Sequence, residues 1–529
     1  MKGRILTSLL AALAIASIQA QTVTPTPKLV VGITIDQLRS DYLEAFSALY
    51  GEKGFKRLLR EGVLYDGAYY DYAQPDRASA IATLFSGTNP YNHGVVGEEW
   101  MDRSTSRVIT AVDDKAYMGI YTAENSSPAH LLVSTVPDEL KMATQGKAIV
   151  YAIAPFRDAA VFAAGHAADG AFWINDDTGK WAGSTYYGSF PSWVITYNDR
   201  MAVDTRIASL AWEPYHSPKL YTYFQSADAN GFKYRFTDAY HRYRSFKTSG
   251  LVNEEVNRLA TSCLKSTQLG MDEVTDFLSV TYYAGAFEHK SPLEHPVEIQ
   301  DTYARLDRQI EELLTAAEKK VGAQNLFVFV TSTGYVDAET TDMNGTYHIP
   351  TGEFRMDRCT ALLNMYLTAS YGQGKYVDTY HGREIYLDRK LIEKKQLNLA
   401  QVLATASEFL SQFSGVKAVY TSQSLSLNAV TPDAKRVRNA YHPFCSGDLV
   451  VEIAPGWKLM NEYAVNGVDY QVVRDSYTAF PLIFWGAGTR PQTLHTPVTV
   501  DRIAPTLTHF MRIRAPNACG SAPLTDYEK

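Results

Sequence analysis

The chain has 529 residues, of which 46% are hydrophobic and 20% charged. That balance supports a large buried core and excludes a disordered chain, a collagen-like repeat and a polytopic membrane protein. Its 50 Lys and Arg against 57 Asp and Glu leave a formal charge of −7 with no basic run, so a phosphate-backbone footprint for DNA or RNA is missing.

Residues Met1 to Arg4 are short and basic, Ile5 to Ile18 are apolar, and Ala20 offers a small residue before a cut. This is the pattern of a secretory signal peptide over residues 1–20, removed after Ala20. No cysteine follows it for lipid attachment, and no later run reaches ~18 apolar residues, so the mature chain, 21–529, is expected to lack a transmembrane segment and to be periplasmic or secreted. Beyond the Thr-Pro linker at Thr22 to Pro27, apolar β-branched runs predict buried strands at Leu29 to Asp36, Ala148 to Ile153, Asp276 to Tyr283, Asn325 to Ser332 and Pro481 to Trp485. The clearest helix runs from Val297 to Val321, with Ile299, Tyr303, Leu306, Ile310, Leu313 and Ala317 on one face and Gly322 as its stop. Alternation of strand and helix predicts an α/β fold: a mostly parallel central sheet with helices on both faces. Two stretches break it, about 172–248 and 337–458, and are expected to be insertions above the strand ends, where binding faces form. Cys263, Cys359, Cys445 and Cys519 are too far apart for a CxxC site, and in an oxidising compartment at least one pair is expected to be bonded, in any of three connectivities.

Nucleophile elbows, Walker loops, dinucleotide fingerprints and HExxH are all absent. What remains is Asp36 at the end of the first strand, where open α/β sheets place ligands. A carboxylate there can hold a cation, and an N-cap for a helix starting near Gln37 fits the spacing equally well. The Glu288-His289 and Glu294-His295 repeat in one loop offers a second place for a single ion. His93 and His166 are read as structural, each held by backbone groups.

Asp36 in its strand, Ser86-Gly87-Thr88-Asn89-Pro90-Tyr91-Asn92-His93-Gly94, Ala164-Gly165-His166-Ala167-Ala168-Asp169, Ile503-Ala504-Pro505-Thr506-Leu507 and Pro516-Asn517-Ala518-Cys519-Gly520 occur in order along nearly the whole mature chain. Together they resemble the alkaline phosphatase superfamily, in the branch of exported phosphate-irrepressible alkaline phosphatases related to nucleotide pyrophosphatase/phosphodiesterases. The resemblance implies metal-dependent phosphoric ester hydrolysis with two zinc ions held by six Asp and His ligands, and a Thr or Ser nucleophile that begins a helix. Carried over position by position, the metal set keeps Asp36 and His289. The Asp paired with that His falls on Gly285 or Ala286, two further ligands fall on Ser332 and Thr333, and the last His falls on Ala479. The nucleophile falls on Ala73 or on Arg77, an accessory Asn on Glu98, and a Lys-Asp-Arg segment on Phe156-Arg157-Asp158 or, shifted by one, on Pro155-Phe156-Arg157. The resemblance so read implies a pseudoenzyme with a vestigial pocket, no cofactor, and an unknown ligand or envelope protein as partner. The competing expectation is a zinc-dependent phosphomonoesterase or phosphodiesterase with a rearranged site drawn from Ser79, Thr83, Ser332 or Thr333 with Asp36 and His289.

Overall fold

The computed structural model describes residues 26–224, 231–336, 351–427, 430–460, 470–473 and 479–525. The expected signal peptide lies outside them, as does part of the stretch 337–458.

An 11-stranded sheet organises the molecule. In chain order its strands are β1 (Leu29–Asp36), β2 (Val63–Tyr69), β3 (Gly119–Ile120), β4 (Val150–Ala154), β5 (Gly170–Ile174), β6 (Trp181–Ser184), β7 (Asp276–Tyr283), β8 (Leu326–Ser332), β9 (Phe480–Gly486), β10 (Gln492–Leu494) and β11 (Val498–Thr499). They lie in the order β10-β2-β9-β8-β1-β7-β4-β5-β6-β3, with β11 beside β2. The centre, β8-β1-β7-β4-β5, is parallel, while β9 runs antiparallel between β2 and β8, and β6 runs antiparallel to β5. The sheet is therefore mixed. The expected parallel arrangement holds only for the strands joined by crossover helices, since the flanking strands return by other routes.

Alternation along β1 feeds two cores. Leu29, Val31, Ile33 and Ile35 face one layer and Val30 faces the other. The first layer is covered by α4 (Leu251–Ser266) and α5 (Pro296–Val321), and the second by α1 (Arg77–Ser86), α2 (Val136–Ala143), α3 (Arg157–Ala164) and α6 (Ile503–Met511). Helix α5 ends at Gly322, whose φ of +81° only glycine adopts without strain. Gly32 in β1 is also required, because a Cβ there would lie 2.6 Å from the Phe329 ring.

The two stretches that break the alternation are built differently. Strands β5 and β6 belong to the main sheet, so the stretch that begins near 172 contributes two sheet strands up to Ser184. Further on, the strands Val377–His381, Glu384–Leu387, Leu449–Ile453 and Val416–Thr421 form their own four-stranded sheet, with a separate core packed under the helices Met356–Tyr371 and Leu399–Leu410. All four cysteines are free thiols. Cys263 and Cys359 are buried in different cores, and Cys445 and Cys519 lie against carbonyls of Gly94 and Ser521, so the expected bonded pair is not formed. No helix among the described residues is long and apolar enough to cross a membrane.

Candidate functional site

The carboxyl ends of the parallel strands meet the N-terminus of α1. Asp76 caps that helix: its Oδ1 accepts the Ser79 backbone N–H at 2.9 Å and the Ser79 hydroxyl at 2.7 Å. Its Oδ2 accepts the Glu98 backbone N–H, which ties the loop after Gly94 to the helix start. Burial pushes the Asp76 carboxyl up, against these hydrogen bonds. Ser79 is thereby consumed in a capping box. Thr83, one turn further along α1, lies 3.0 Å from His93 Nε2 and donates to Tyr72.

Arg77, the first residue of α1, stands at the centre. Its Nε donates to both Asp158 oxygens at 2.9 and 3.1 Å, its Nη2 pairs with Glu98 at 2.9 Å, and its Nη1 lies 3.6 Å from Asp36 Oδ2. The guanidinium stacks 4.0 Å over the Phe156 ring, and the same ring lies 4.7 Å from Lys247 Nζ, which pairs with Asp176. Burial works against the charge of Arg77, but the carboxylates of Asp158, Glu98 and Asp36 outweigh it and hold the guanidinium firmly protonated. Glu98 shows the reverse balance: burial raises its carboxyl, Asp158, Asp76 and Asp36 add to the rise, and Arg77 alone opposes it. Its side chain is 40% exposed, against none for Asp36, so Glu98 is the member of the group that meets solvent.

Asp36 itself is not a helix cap, since the next helix begins at Ser40 behind Arg39. Thr333 donates its hydroxyl to Asp36 Oδ1 at 2.8 Å and accepts the Gln37 backbone N–H at 2.9 Å, and the Tyr335 hydroxyl reaches Oδ2 at 3.4 Å. Gln37 and Gln74, on the two approaches to the site, hold φ of +63° and +51°, a conformation costly for residues with side chains.

The positions singled out from sequence therefore divide. Asp36, Arg77, Glu98, Phe156 and Thr333 converge on one site. Ser332 instead points to the other face, where its hydroxyl donates to the Leu38 carbonyl. Ala73 packs against the small core of Leu425, Val437, Tyr441 and Val450 and donates its backbone N–H to the Arg436 carbonyl. The Arg157 guanidinium is engaged by Thr110, Ser126 and Asp113, and Ala479 is exposed. His289 lies half-buried on the turn Phe287–His289 with φ of +56°. The Glu-His repeat does not close on an ion: Glu288 pairs with Ser245 and Lys290, and His295 with Tyr234 and Glu298. His166 is held between Asp138 and the Leu131 carbonyl, as its structural reading requires.

Sequence reading met Asp158 only as the end of the Phe156-Arg157-Asp158 segment, without a role of its own, and passed over Tyr335. The signal for Asp158 was available in Arg157-Asp158 opening a helix directly after a strand, but its pairing with Arg77 joins residues far apart in the chain. Among the described residues, no three His, Cys, Asp or Glu side chains are grouped so as to hold a metal. The donor set seen around Asp36, two hydroxyls and a guanidinium, does not fit zinc, because hydroxyls are poor ligands and a fixed cation competes for the carboxylate.

Residues 30–477 match the type I phosphodiesterase / nucleotide pyrophosphatase family. The alkaline phosphatase PafA of Elizabethkingia meningoseptica is 29% identical to the chain, over 96% of each protein. The alkaline phosphatase PhoV of Synechococcus elongatus is 26% identical, over 97% of this chain and 95% of that protein. The crystal structure of wild-type PafA superposes with a TM-score of 0.83 at 27% identity, covering 96% of this chain and 100% of the other.

Proposed function

Because the chain belongs to the type I phosphodiesterase / nucleotide pyrophosphatase family of the alkaline phosphatase superfamily, we propose that it is a non-catalytic member in which Arg77 supplies, from within the chain, the positive charge that a metal pair supplies in the resemblance. One observation carries this reading: the guanidinium of Arg77, the helix-initial residue on which one register of the resemblance puts the nucleophile, sits among Asp158, Glu98 and Asp36. Arg77 cannot attack phosphorus. Its hydrogen-bonding nitrogens face carboxylates, so little of its charge is left for a phosphoryl oxygen, and Glu98 at the mouth repels one. Ser79 and Thr83 are engaged in helix capping and in the Tyr72 and His93 contacts, which removes them as substitutes.

In this reading the protein is exported through its N-terminal segment and works by binding a ligand or an envelope protein at the old cleft. Residues of about 172–248 and 337–458 serve as insertions that shape the binding face. In this reading no zinc takes part.

A second reading, a metal-dependent phosphoric ester hydrolase, is favoured by the relatives named as alkaline phosphatases over nearly the whole chain. Purified protein assayed with aryl phosphate monoesters and diesters, with added zinc, manganese, magnesium or calcium, separates the two. The expected result is no turnover above buffer. Turnover abolished by Asp36→Ala, or about two zinc ions per chain in protein purified without chelator, would establish the hydrolase.

A further inference from the structure

Directly beneath Asp36, on the same face of the sheet, lies a tier of hydroxyls. Thr34 of β1 is in register with Thr281 of β7 on one side and Thr331 of β8 on the other, and Ser279 sits one step lower beside Gly32. All four side chains are 1% exposed or less, and none of the four hydroxyls forms a hydrogen bond with any other described group. Across β4 the row of hydroxyls ends at Ala154, which follows Ile153, the partner of Val280; Ala154 pairs with Trp173, whose buried indole Nε1 is likewise unpartnered among the described groups.

Such a concentration is unusual, because buried polar groups are almost always satisfied. A lone unpaired hydroxyl can be an isolated defect. Three in one register row, with a fourth one step below, form a polar surface. The floor below is apolar and full: the Phe329 ring covers Gly32, and Phe85 and Phe277 pack beside it. The helices that cover this face, α1 and α3, bring Ala78, Ala80, Ala82, Ala159, Ala160 and Ala163 into the same core cluster, and none of these side chains carries a polar atom that could satisfy the tier. Clustered hydroxyls supply the two to four polar partners that an internal water needs.

We propose that the Thr331–Thr34–Thr281 tier, with Ser279, binds a chain of internal waters that hydrates the inner side of the Asp36 site. Neutral hydroxyls both donate and accept, which suits water, whereas a cation would find no carboxylate within the tier itself. Whether or not the protein is a hydrolase, the base of the site is then wet while the strands below Gly32 are dry.

Crystals of the full mature chain diffracting to about 1.5 Å, together with oxygen-17 water relaxation dispersion in solution, test the proposal. Ordered density within hydrogen-bond distance of at least two of the four hydroxyls, and long-lived internal waters that decrease in Thr34→Val/Thr281→Val, support it. A dry tier, with the number of long-lived waters unchanged in that variant and its melting temperature raised, overturns it. A peak in the tier after soaking in a rubidium salt, identified by anomalous scattering, also overturns it by making the occupant a monovalent cation. Should the double variant fail to fold, Thr331→Ser keeps the hydroxyl and Thr331→Val removes it. Loss of a water signal in the second alone again supports the proposal, and no loss in either overturns it.

Discussion

Thr333 donates its hydroxyl to Asp36 over 2.8 Å while accepting the backbone N–H of Gln37, so one small side chain both satisfies the buried carboxylate and holds the strained turn that follows β1. The carboxylate is completed on its other side by Arg77 and Tyr335. In this arrangement the charge of Asp36 is balanced by groups that belong to the chain, and its orientation is set before any ligand arrives.

Thr333→Val removes the bridge at nearly constant volume. It leaves a buried carboxylate oxygen and the Gln37 amide each short of a partner, and the expected cost is about 1 to 3 kcal/mol by denaturant unfolding. Treatment of the wild-type protein with chelator is expected to leave the melting temperature unchanged. A fall on chelation that zinc restores would show that metal, and not Thr333 and Arg77, balances Asp36.

Replacement of Arg77 should be the most damaging single change at the site. Arg77→Met keeps the stem over Phe156 but strands Asp158 and Asp36, and is expected to destabilise by roughly 3 to 5 kcal/mol at neutral pH. The loss should shrink as the pH falls and the stranded carboxylates take up protons. A variant as stable as wild type at pH 7 would remove Arg77 from its central role.

Glu98 gives the opposite sign. Its carboxyl is raised in the folded protein, chiefly by burial, so its contribution is present below the ordinary carboxylate pKa and is lost as pH rises through the raised value. Glu98→Gln keeps a polar partner for Arg77 without the charge. It is expected to stabilise the protein at pH 7 to 8 relative to wild type and to flatten the slope of stability against pH above pH 5; equal slopes in both proteins would contradict this.

His93 adds an acid limit. Its Nδ1 accepts the Val95 backbone N–H at 3.1 Å, which places the ring proton on Nε2 facing Thr83. Burial, with His442 adding to it, lowers the ring to about 3. The folded-state value lies below the unfolded one, so stability is complete above pH ~6.5 and declines as pH falls toward 3, by at most about 1.4 kcal/mol per pH unit from this group. In NMR the His93 ring should show no titration between pH 5 and 8. A midpoint near 6.5 would mean the ring is solvated.

The cysteines should all react. Alkylation of denatured protein without reductant is expected to label Cys263, Cys359, Cys445 and Cys519, since each lies in a separate environment as a free thiol. Burial raises all four thiols, Cys263 most, so in the native state labelling should be slow and Cys263 slowest. A pair protected after denaturation would identify a disulfide formed on export.

Local pattern was enough to find β1, β7, β8 and α5, because each buries a continuous apolar run or a full helical stripe and so carries its signal within a single window. The same local reading placed Asp36 at a strand end and marked Arg77, Glu98, Phe156 and Thr333 as departures from a family pattern. It erred where partners are distant in the chain. Ser332 and Thr333 are neighbours, and a strand sends neighbours to opposite faces, so only the pairing of β8 with β1 decided that Thr333 meets Asp36 while Ser332 meets Leu38. Composition likewise assigned the stretch near 172 to an overhanging insertion, although β5 and β6 are sheet strands, β5 pairing with β4 before it and β6 after it. Most of all, the joining of Arg77 to Asp158, Glu98 and Asp36 depends on a helix start, a loop and a strand end converging at one helix N-terminus, and no spacing within the chain encodes it. Charge pairing across a fold is a property of distance, which packing alone sets.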